Sequence, residues 1–260
     1  MKEKPMTFIE HWAELRKRLI WCALFFVLAF GAAMAAAIPV IRLLTETGPV
    51  KDASLNAFSP WDGIRIYMQV SMYLALMVSV PFILFQLWLF IRPGLKDHER
   101  KATVVYVPLA SVLLVFGALF GYFVAVPGAF RFAGVLTESM GLVETFGLAQ
   151  YVSFLLNILL PVSLAFELPV VVLFLTKLRI LNPGRLAKYR RHAVVLLLIV
   201  AAMITPPDLI SALIVFVPLM MLYELSILLS RAVHRRQLAA DAAREAECGE
   251  DGSPGHPAKP

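Results

Sequence analysis

Long apolar runs separated by short charged clusters dominate the pattern of this chain. A spanning α-helix needs roughly 20 apolar residues, and stretches near this length recur along the sequence. Runs such as Ala193–Ile204 do not alternate in polarity, so the pattern favours helices over the strands of a barrel. The predicted fold class is an all-α integral membrane protein with six transmembrane helices, at residues 19–38, 65–91, 103–126, 150–176, 193–205 and 209–229.

The positions of the basic residues predict that both ends of the chain are cytoplasmic. The chain carries 24 Lys and Arg residues and a net charge of +6. All but four lie before the first span, between spans two and three, between spans four and five, or after span six; the exceptions are Arg42, Lys51, Arg65 and Arg131. This distribution is the positive-inside signal of a membrane protein. The positive charge is therefore typical of membrane topology and does not indicate nucleic-acid binding.

Composition and the short motifs exclude several classes of protein. The 260 residues are 60% hydrophobic with a mean hydropathy of +0.77, and only 16% are charged. A soluble domain carries about a quarter charged residues. The two cysteines, Cys22 and Cys248, fit neither a disulfide framework nor a metal site. The sequence contains no phosphate-binding loop and no hydrolase or metalloprotease motif. We therefore expect no enzyme, no cofactor and no metal.

The predicted organisation is one transmembrane domain with two cytoplasmic flanks. Residues 1–18 form an amphipathic segment, residues 19–230 the six-helix domain, and residues 231–260 a polar, disordered tail. The first apolar run lacks a cleavage motif, so we expect a retained helix. The last two spans are short, since Ala193–Ile204 measures roughly 18 Å against a hydrocarbon core of about 30 Å.

Two long connections lie on the side opposite the termini. They cover residues 39–63 and 127–149 and are rich in Pro, Gly and aromatic residues. Such apolar loops are expected to pack against each other or to lie in the membrane interface as a cap. Pro49 belongs to the first of them, while Pro206, Pro207 and Asp208 form the tight connection between the last two spans, where Asp208 is a candidate helix cap.

A few charged residues in or beside the spans are candidates for chemistry. Glu167 lies deep in span four between two prolines, where an ionisable group is costly and is expected to face a cavity or a partner helix. Glu14 is spaced to pair with Arg18 one helical turn later, and Glu99 is placed to cap a helix. Glu224 is expected to pair with Arg231 or to extend to the interface. For Glu14 and Glu99, binding of an external ligand remains the alternative.

Four blocks of residues in order along the chain resemble the TatC family of the twin-arginine protein translocase. Trp12 stands where leucine is commoner in that family. The blocks are His11-x-x-Glu14-Leu15-Arg16-x-Arg18-Leu19, then Pro81-x-x-x-x-Gln86-x-Trp88-x-Phe90-x-x-Pro93-Gly94-Leu95-x-x-x-Glu99-Arg100, then Phe166-Glu167-x-Pro169, and Thr205-Pro206-Pro207-Asp208.

The resemblance implies a receptor in the bacterial inner membrane that binds twin-arginine signal peptides of folded precursors and exports them with the proton-motive force. Glu14 and Glu99 would bind the arginines, with Arg16 and Phe90 beside them. Glu167 would serve signal insertion or partner docking. Pro49, Pro206, Pro207 and Asp208 would belong to the periplasmic cap and hairpin. The implied partners are the single-span subunits TatA and TatB and further copies of the receptor.

Two other classes of protein were weighed against this interpretation. A secondary transporter for a small solute would use Glu167 as a proton-coupling site, but it predicts internal repeats that the two halves do not show. An intramembrane enzyme would need a nucleophile and a base at membrane depth, whereas His11 and His192 lie at the cytoplasmic ends of spans.

Overall fold

The computed structural model describes residues 8–47, 55–91, 106–142, 145–204 and 209–250, almost all of them helical. A π-helical turn, Gly121–Ala125, joins the helix Tyr106–Phe120 to the helix Val126–Ser139. The helices are α1 Phe8–Thr47, α2 Asp62–Ile91, α3 Tyr106–Phe120, α4 Val126–Ser139, α5 Leu148–Ala165, α6 Leu168–Lys177, α7 Pro183–Lys188, α8 Arg190–Ile204 and α9 Leu209–Glu250, and the strands are β1 Leu55–Asn56 and β2 Phe146–Gly147.

The chain is a multi-pass helical membrane protein. Within the described residues, five helical stretches are long and apolar enough to cross a membrane: Trp12–Thr47, Asp62–Ile91, Tyr106–Ser139, Leu148–Lys177 and Ala212–Ala239. Their outward faces carry large exposed apolar side chains such as Val27, Phe116 and Val217, as lipid contact requires. The predicted fifth span corresponds to α8, whose 15 residues would measure roughly 22 Å. The count of six spans remains a prediction.

The last helix differs from the prediction of a short span followed by a disordered tail. Helix α9 continues to Glu250, because the segment after Ser230 is rich in the helix formers Ala, Arg and Glu. Polar contacts with α6 also hold it in place. The Ser230 hydroxyl lies 2.7 Å from that of Thr176, and Gln237 Nε2 donates to the Lys177 carbonyl at 2.8 Å. Residues 251–260 lie outside the described residues.

Helices α1 and α4 also extend beyond the predicted ends of their spans. Helix α1 continues through Pro39 to Thr47, where Leu44 is buried and its carbonyl accepts a hydrogen bond from the Tyr151 hydroxyl at 3.3 Å. Helix α4 begins beside Pro127, which lacks an N–H group, and the preceding turn is π-helical. Both helices therefore occupy parts of the segments predicted as loops.

The two long loops contact each other, as one of the two predicted arrangements requires. Strands β1 and β2 pair in parallel, with Leu55 opposite Phe146 and Asn56 opposite Gly147. The Phe58 ring lies so close to Gly147 that a Cβ atom there would be only 2.6 Å from it. Glycine is therefore required at this position for the loops to approach.

Helix α5 lies at the centre of the bundle and supplies more buried residues to the core than any other helix. Its buried apolar residues include Val152, Leu155, Ile158, Leu159 and Val162. Gly117 of α3 allows close approach, because a Cβ atom there would lie 2.8 Å from Phe166 Cβ. The lack of a side chain at Gly117 thus serves helix packing.

Helices α1 and α2 form an antiparallel pair at one side of this core. The rings of Phe25 and Phe82 stack with centroids 4.1 Å apart, and the Tyr67 hydroxyl donates to the Met34 carbonyl at 2.8 Å. The N-terminal end of α1 therefore lies beside the C-terminal end of α2. This arrangement positions the first candidate site.

Candidate functional site

A polar cleft opens where the start of α1 meets the end of α2, and we call it the α1–α2 cleft. It holds about 1170 Å³ of space not filled by protein atoms, counting its open mouth. Its lining mixes aromatic and apolar side chains with charged and amide groups. The lining residues are Ala13, Glu14, Lys17, Arg18, Trp21, Phe82 and Gln86.

Arg18 bridges the two helices across this cleft. Its Nη2 lies 2.8 Å from Glu14 Oε1, and its Nη1 donates to Gln86 Oε1 at 3.2 Å. The predicted pairing of Glu14 with Arg18 is therefore confirmed. Gln86 is buried, whereas the side chains of Arg18 and Glu14 remain 25% and 20% exposed. The Arg18 Nε is buried and has no hydrogen-bond partner among the described residues.

The arrangement binds a guanidinium group from two directions. The Glu14 carboxylate and the Gln86 side-chain carbonyl, which we call the acceptor pair, each take one N–H from the planar fork. A guanidinium matches such divergent acceptors better than an ammonium group, whose charge is compact. The cleft can therefore distinguish arginine from lysine.

The other residues predicted for signal recognition are only partly brought together. Arg16 is exposed on α1, two residues from Glu14, and Phe90 is half-buried in the last turn of α2. Glu99 lies outside the described residues. The same holds for the residues predicted for the cap and hairpin, which are Pro49, Pro206, Pro207 and Asp208.

Glu167 lies at a break in the predicted fourth span. Helix α5 ends at Ala165 and α6 begins at Leu168, with Glu167 as its N-cap residue. The break follows from Pro169, which cannot donate the hydrogen bond that a continuous helix would make to Ala165. Phe166 turns toward α3, where its ring lies 5.5 Å from that of Phe120.

The Glu167 carboxyl is buried with no hydrogen-bond partner in the described part of the chain. Its residue is 5% exposed, and neither carboxyl oxygen has a hydrogen-bond partner among the described residues. Ser163, one turn earlier, donates to the Leu159 carbonyl at 2.6 Å. A buried carboxyl with no internal partner is costly, which marks Glu167 as a functional candidate. That Glu167 faces a cavity or a partner helix stays a prediction.

Glu224 has a partner other than the one predicted. Its Oε2 lies 2.6 Å from Arg190 Nη2, so the pair joins α8 to α9 and does not involve Arg231. Both side chains are partly exposed. The Tyr223 hydroxyl beside it donates to the Leu186 carbonyl at 2.8 Å. These contacts hold the helices together and do not define a binding site.

Sequence reasoning missed the role of Gln86 in the cleft. It is one of two glutamines, with Gln69, in an apolar span, and such amides are a signal for a polar contact inside the membrane. Its partner could not be inferred, because Arg18 is remote in the sequence. In the part of the chain that the structure describes, no cluster of three or more His, Cys, Asp or Glu side chains could hold a metal ion.

The helical bundle, the buried carboxyl of Glu167 and the α1–α2 cleft define a multi-pass membrane protein with a charged cleft between two of its helices. Residues 10–218 match the family described as Sec-independent protein translocase protein (TatC). The chain belongs to this family and is a component of a Sec-independent protein translocase.

Similar proteins support this assignment along nearly the whole chain. TatCy of Bacillus subtilis (strain 168) is 41% identical over 243 residues, which are 94% of this chain and 96% of that protein. TatC of Halalkalibacterium halodurans is 41% identical over 247 residues, covering 95% and 98% of the two chains.

A solved structure shares the fold. The crystal structure of a twin-arginine translocase receptor, TatC, superposes with a TM-score of 0.75 at 31% identity. The match covers 86% of this chain and 99% of that one. Because the similar proteins are translocase components, the comparisons do not favour a small-solute transporter.

Proposed function

We propose that this chain is the receptor subunit that binds twin-arginine signal peptides of folded precursor proteins. The observation that carries the proposal is the α1–α2 cleft, in which the acceptor pair already holds one guanidinium group. A signal peptide with two adjacent arginines supplies the same chemical group. Glu14 takes one arginine, and Glu99, on the segment after α2, is the acid proposed for the other, with Arg16 and Phe90 beside them.

The proposal includes six spans with both termini in the cytoplasm of a bacterium and the cleft at the cytoplasmic face of the inner membrane. The concentration of Lys and Arg in four of the inter-span segments and flanks supports this orientation.

The apolar part of the signal then enters along the helices toward Glu167. The same region docks the single-span subunits TatA and TatB, and several receptors assemble together. The proton-motive force drives transport.

Co-purification tests the recognition step directly. The chain is solubilised from membranes together with a reporter precursor that carries either a twin-arginine or a twin-lysine signal. We expect the twin-arginine precursor to be retained and the twin-lysine precursor to be lost, because lysine cannot span both acceptors. Equal retention of the two precursors, or of neither, contradicts the proposal.

Cysteine labelling tests the orientation. In a background with Cys22 and Cys248 replaced by serine, a cysteine at the exposed Ser139 should react with an impermeant maleimide from outside the cell. A cysteine at the exposed Arg235 should react only after permeabilisation. Gln237 is a poorer probe because it is buried against α6, and Ser54 lies outside the described residues. The opposite labelling pattern would reverse the topology.

A further inference from the structure

Arg18 occupies the position in the α1–α2 cleft that an incoming arginine needs. Its two terminal nitrogens take Glu14 Oε1 and Gln86 Oε1, which are the acceptors that face the cleft from the two helices. The cleft is open at its mouth, so a ligand can reach this pair. A signal-peptide arginine therefore meets acceptors that are already engaged by the receptor's own side chain.

We propose that Arg18 is an internal placeholder, an autoinhibitory contact that a signal-peptide arginine must displace from Glu14 and Gln86. This inference rests on the proposed function and adds to it the resting state of the site. The displaced Arg18 side chain moves from the acceptor pair toward the open mouth of the cleft, and the ligand guanidinium takes its place.

The geometry of the internal contact suits exchange. Arg18 makes only one contact of 2.8 Å with the Glu14 carboxylate, and its second bond goes to a neutral amide at 3.2 Å. Its Nε is buried without a hydrogen-bond partner in the described part of the chain. A ligand arginine is free to use two N–H groups on the carboxylate in the stronger side-by-side manner. The internal bond is therefore weaker than the bond that can replace it.

The placeholder raises the threshold for every ligand that needs the acceptor pair. The pair is free only when Arg18 has left it, so the apparent affinity falls by the same factor for arginine and for lysine. The preference for arginine comes from the acceptor pair itself. A lysine ammonium is a single point of charge and cannot satisfy the carboxylate and the amide together in the planar arrangement that Arg18 shows.

The test compares Arg18→Gln with Lys17→Gln in the full-length chain reconstituted in lipid nanodiscs. Lys17 lines the same cleft, but among the described contacts it binds neither Glu14 nor Gln86. Its substitution therefore measures the general effect of losing one positive charge. The probes are a synthetic twin-arginine signal peptide and its twin-lysine variant, each titrated against wild type and both variants.

We expect Arg18→Gln to bind the twin-arginine peptide about two- to fivefold more tightly than Lys17→Gln does, the range for displacing a partly exposed ion pair. The twin-lysine peptide should gain by the same factor, because both peptides must displace the same internal contact. Equal or weaker binding by Arg18→Gln overturns the placeholder. If the wild-type chain binds neither peptide, the proposed function itself fails, and the placeholder falls with it.

A measurement on the wild-type chain covers the case in which Arg18→Gln does not fold. Arginine side chains are modified with phenylglyoxal, and the modification of Arg18 is quantified by mass spectrometry with and without the twin-arginine peptide. Displacement predicts that Arg18 becomes more reactive when the peptide is bound. Unchanged or reduced reactivity shows that Arg18 stays on its acceptors, and this result overturns the proposal.

Discussion

Replacing Glu167 with alanine will stop export of a twin-arginine precursor while the chain stays folded and still binds the signal peptide. Removing one member of a buried ion pair costs about 3–5 kcal/mol because the other charge is left unpaired. Glu167 has no such partner among the described residues, so its loss strands no internal charge. Its carboxyl is instead available to a polar group on a partner subunit or on the inserted signal.

The readouts for Glu167→Ala are export of the precursor, co-purification of TatA and TatB, and the midpoint of thermal unfolding in detergent. We expect export to fall below detection, recruitment of a partner subunit to fall, and the midpoint to change little. Glu138→Ala, which removes an exposed carboxyl on α4, is the matched control and should retain export. Loss of protease resistance in Glu167→Ala would show a structural role, and normal export would reject both roles.

Substituting Glu14 or Glu99 with glutamine should weaken binding of a twin-arginine peptide by about 1.5–3 kcal/mol, which is on the order of 10- to 100-fold. Glutamine keeps the shape and one acceptor oxygen of the side chain but loses the charge that makes the hydrogen bond strong. At Glu14 the substitution also removes the ion pair with Arg18. Arg18 then remains beside the ligand as an uncompensated positive charge.

Peptide titration of the purified variants measures this loss, and membrane fractionation shows that the chain still inserts. Glu46→Gln is a suitable control, because Glu46 is exposed near the opposite end of the same helix, α1. Wild-type affinity in Glu14→Gln would remove the α1–α2 cleft from the recognition site. Wild-type affinity in Glu99→Gln alone would leave Glu14 as the sole carboxylate of the proposal.

The apolar runs indicated where helices lie, but they underestimated the length of the helices. A run is judged to end at the first proline or charged residue, whereas a helix continues while tertiary contacts hold it. Helix α1 passes Pro39 because Leu44 still packs in the core, and α9 passes the predicted end of span six because Gln237 bonds to the end of α6. These contacts join remote parts of the chain and are invisible in a local window.

The same difference between local patterns and contacts across the fold applies to the candidate sites. The spacing of Glu14 and Arg18 predicted their ion pair, since a helix places residues four apart on one face. Depth in an apolar span marked Glu167 as a candidate facing a cavity or a partner helix, and the structure places it buried at the break between α5 and α6. The contribution of Gln86 depends on how α1 and α2 are aligned, because stacking of Phe25 on Phe82 brings Gln86 opposite Arg18. No pattern within either segment specifies that alignment.

The parallel pairing of β1 with β2 imposes an order on biosynthesis. Helices α2, α3 and α4 all lie between Asn56 and Phe146, so the pairing must wait until these helices have emerged from the ribosome. Closing so long a loop costs chain entropy that only the completed contact offsets. Closure therefore follows synthesis of the first half of the bundle, and α5, which begins directly after β2, enters the membrane beside helices already made.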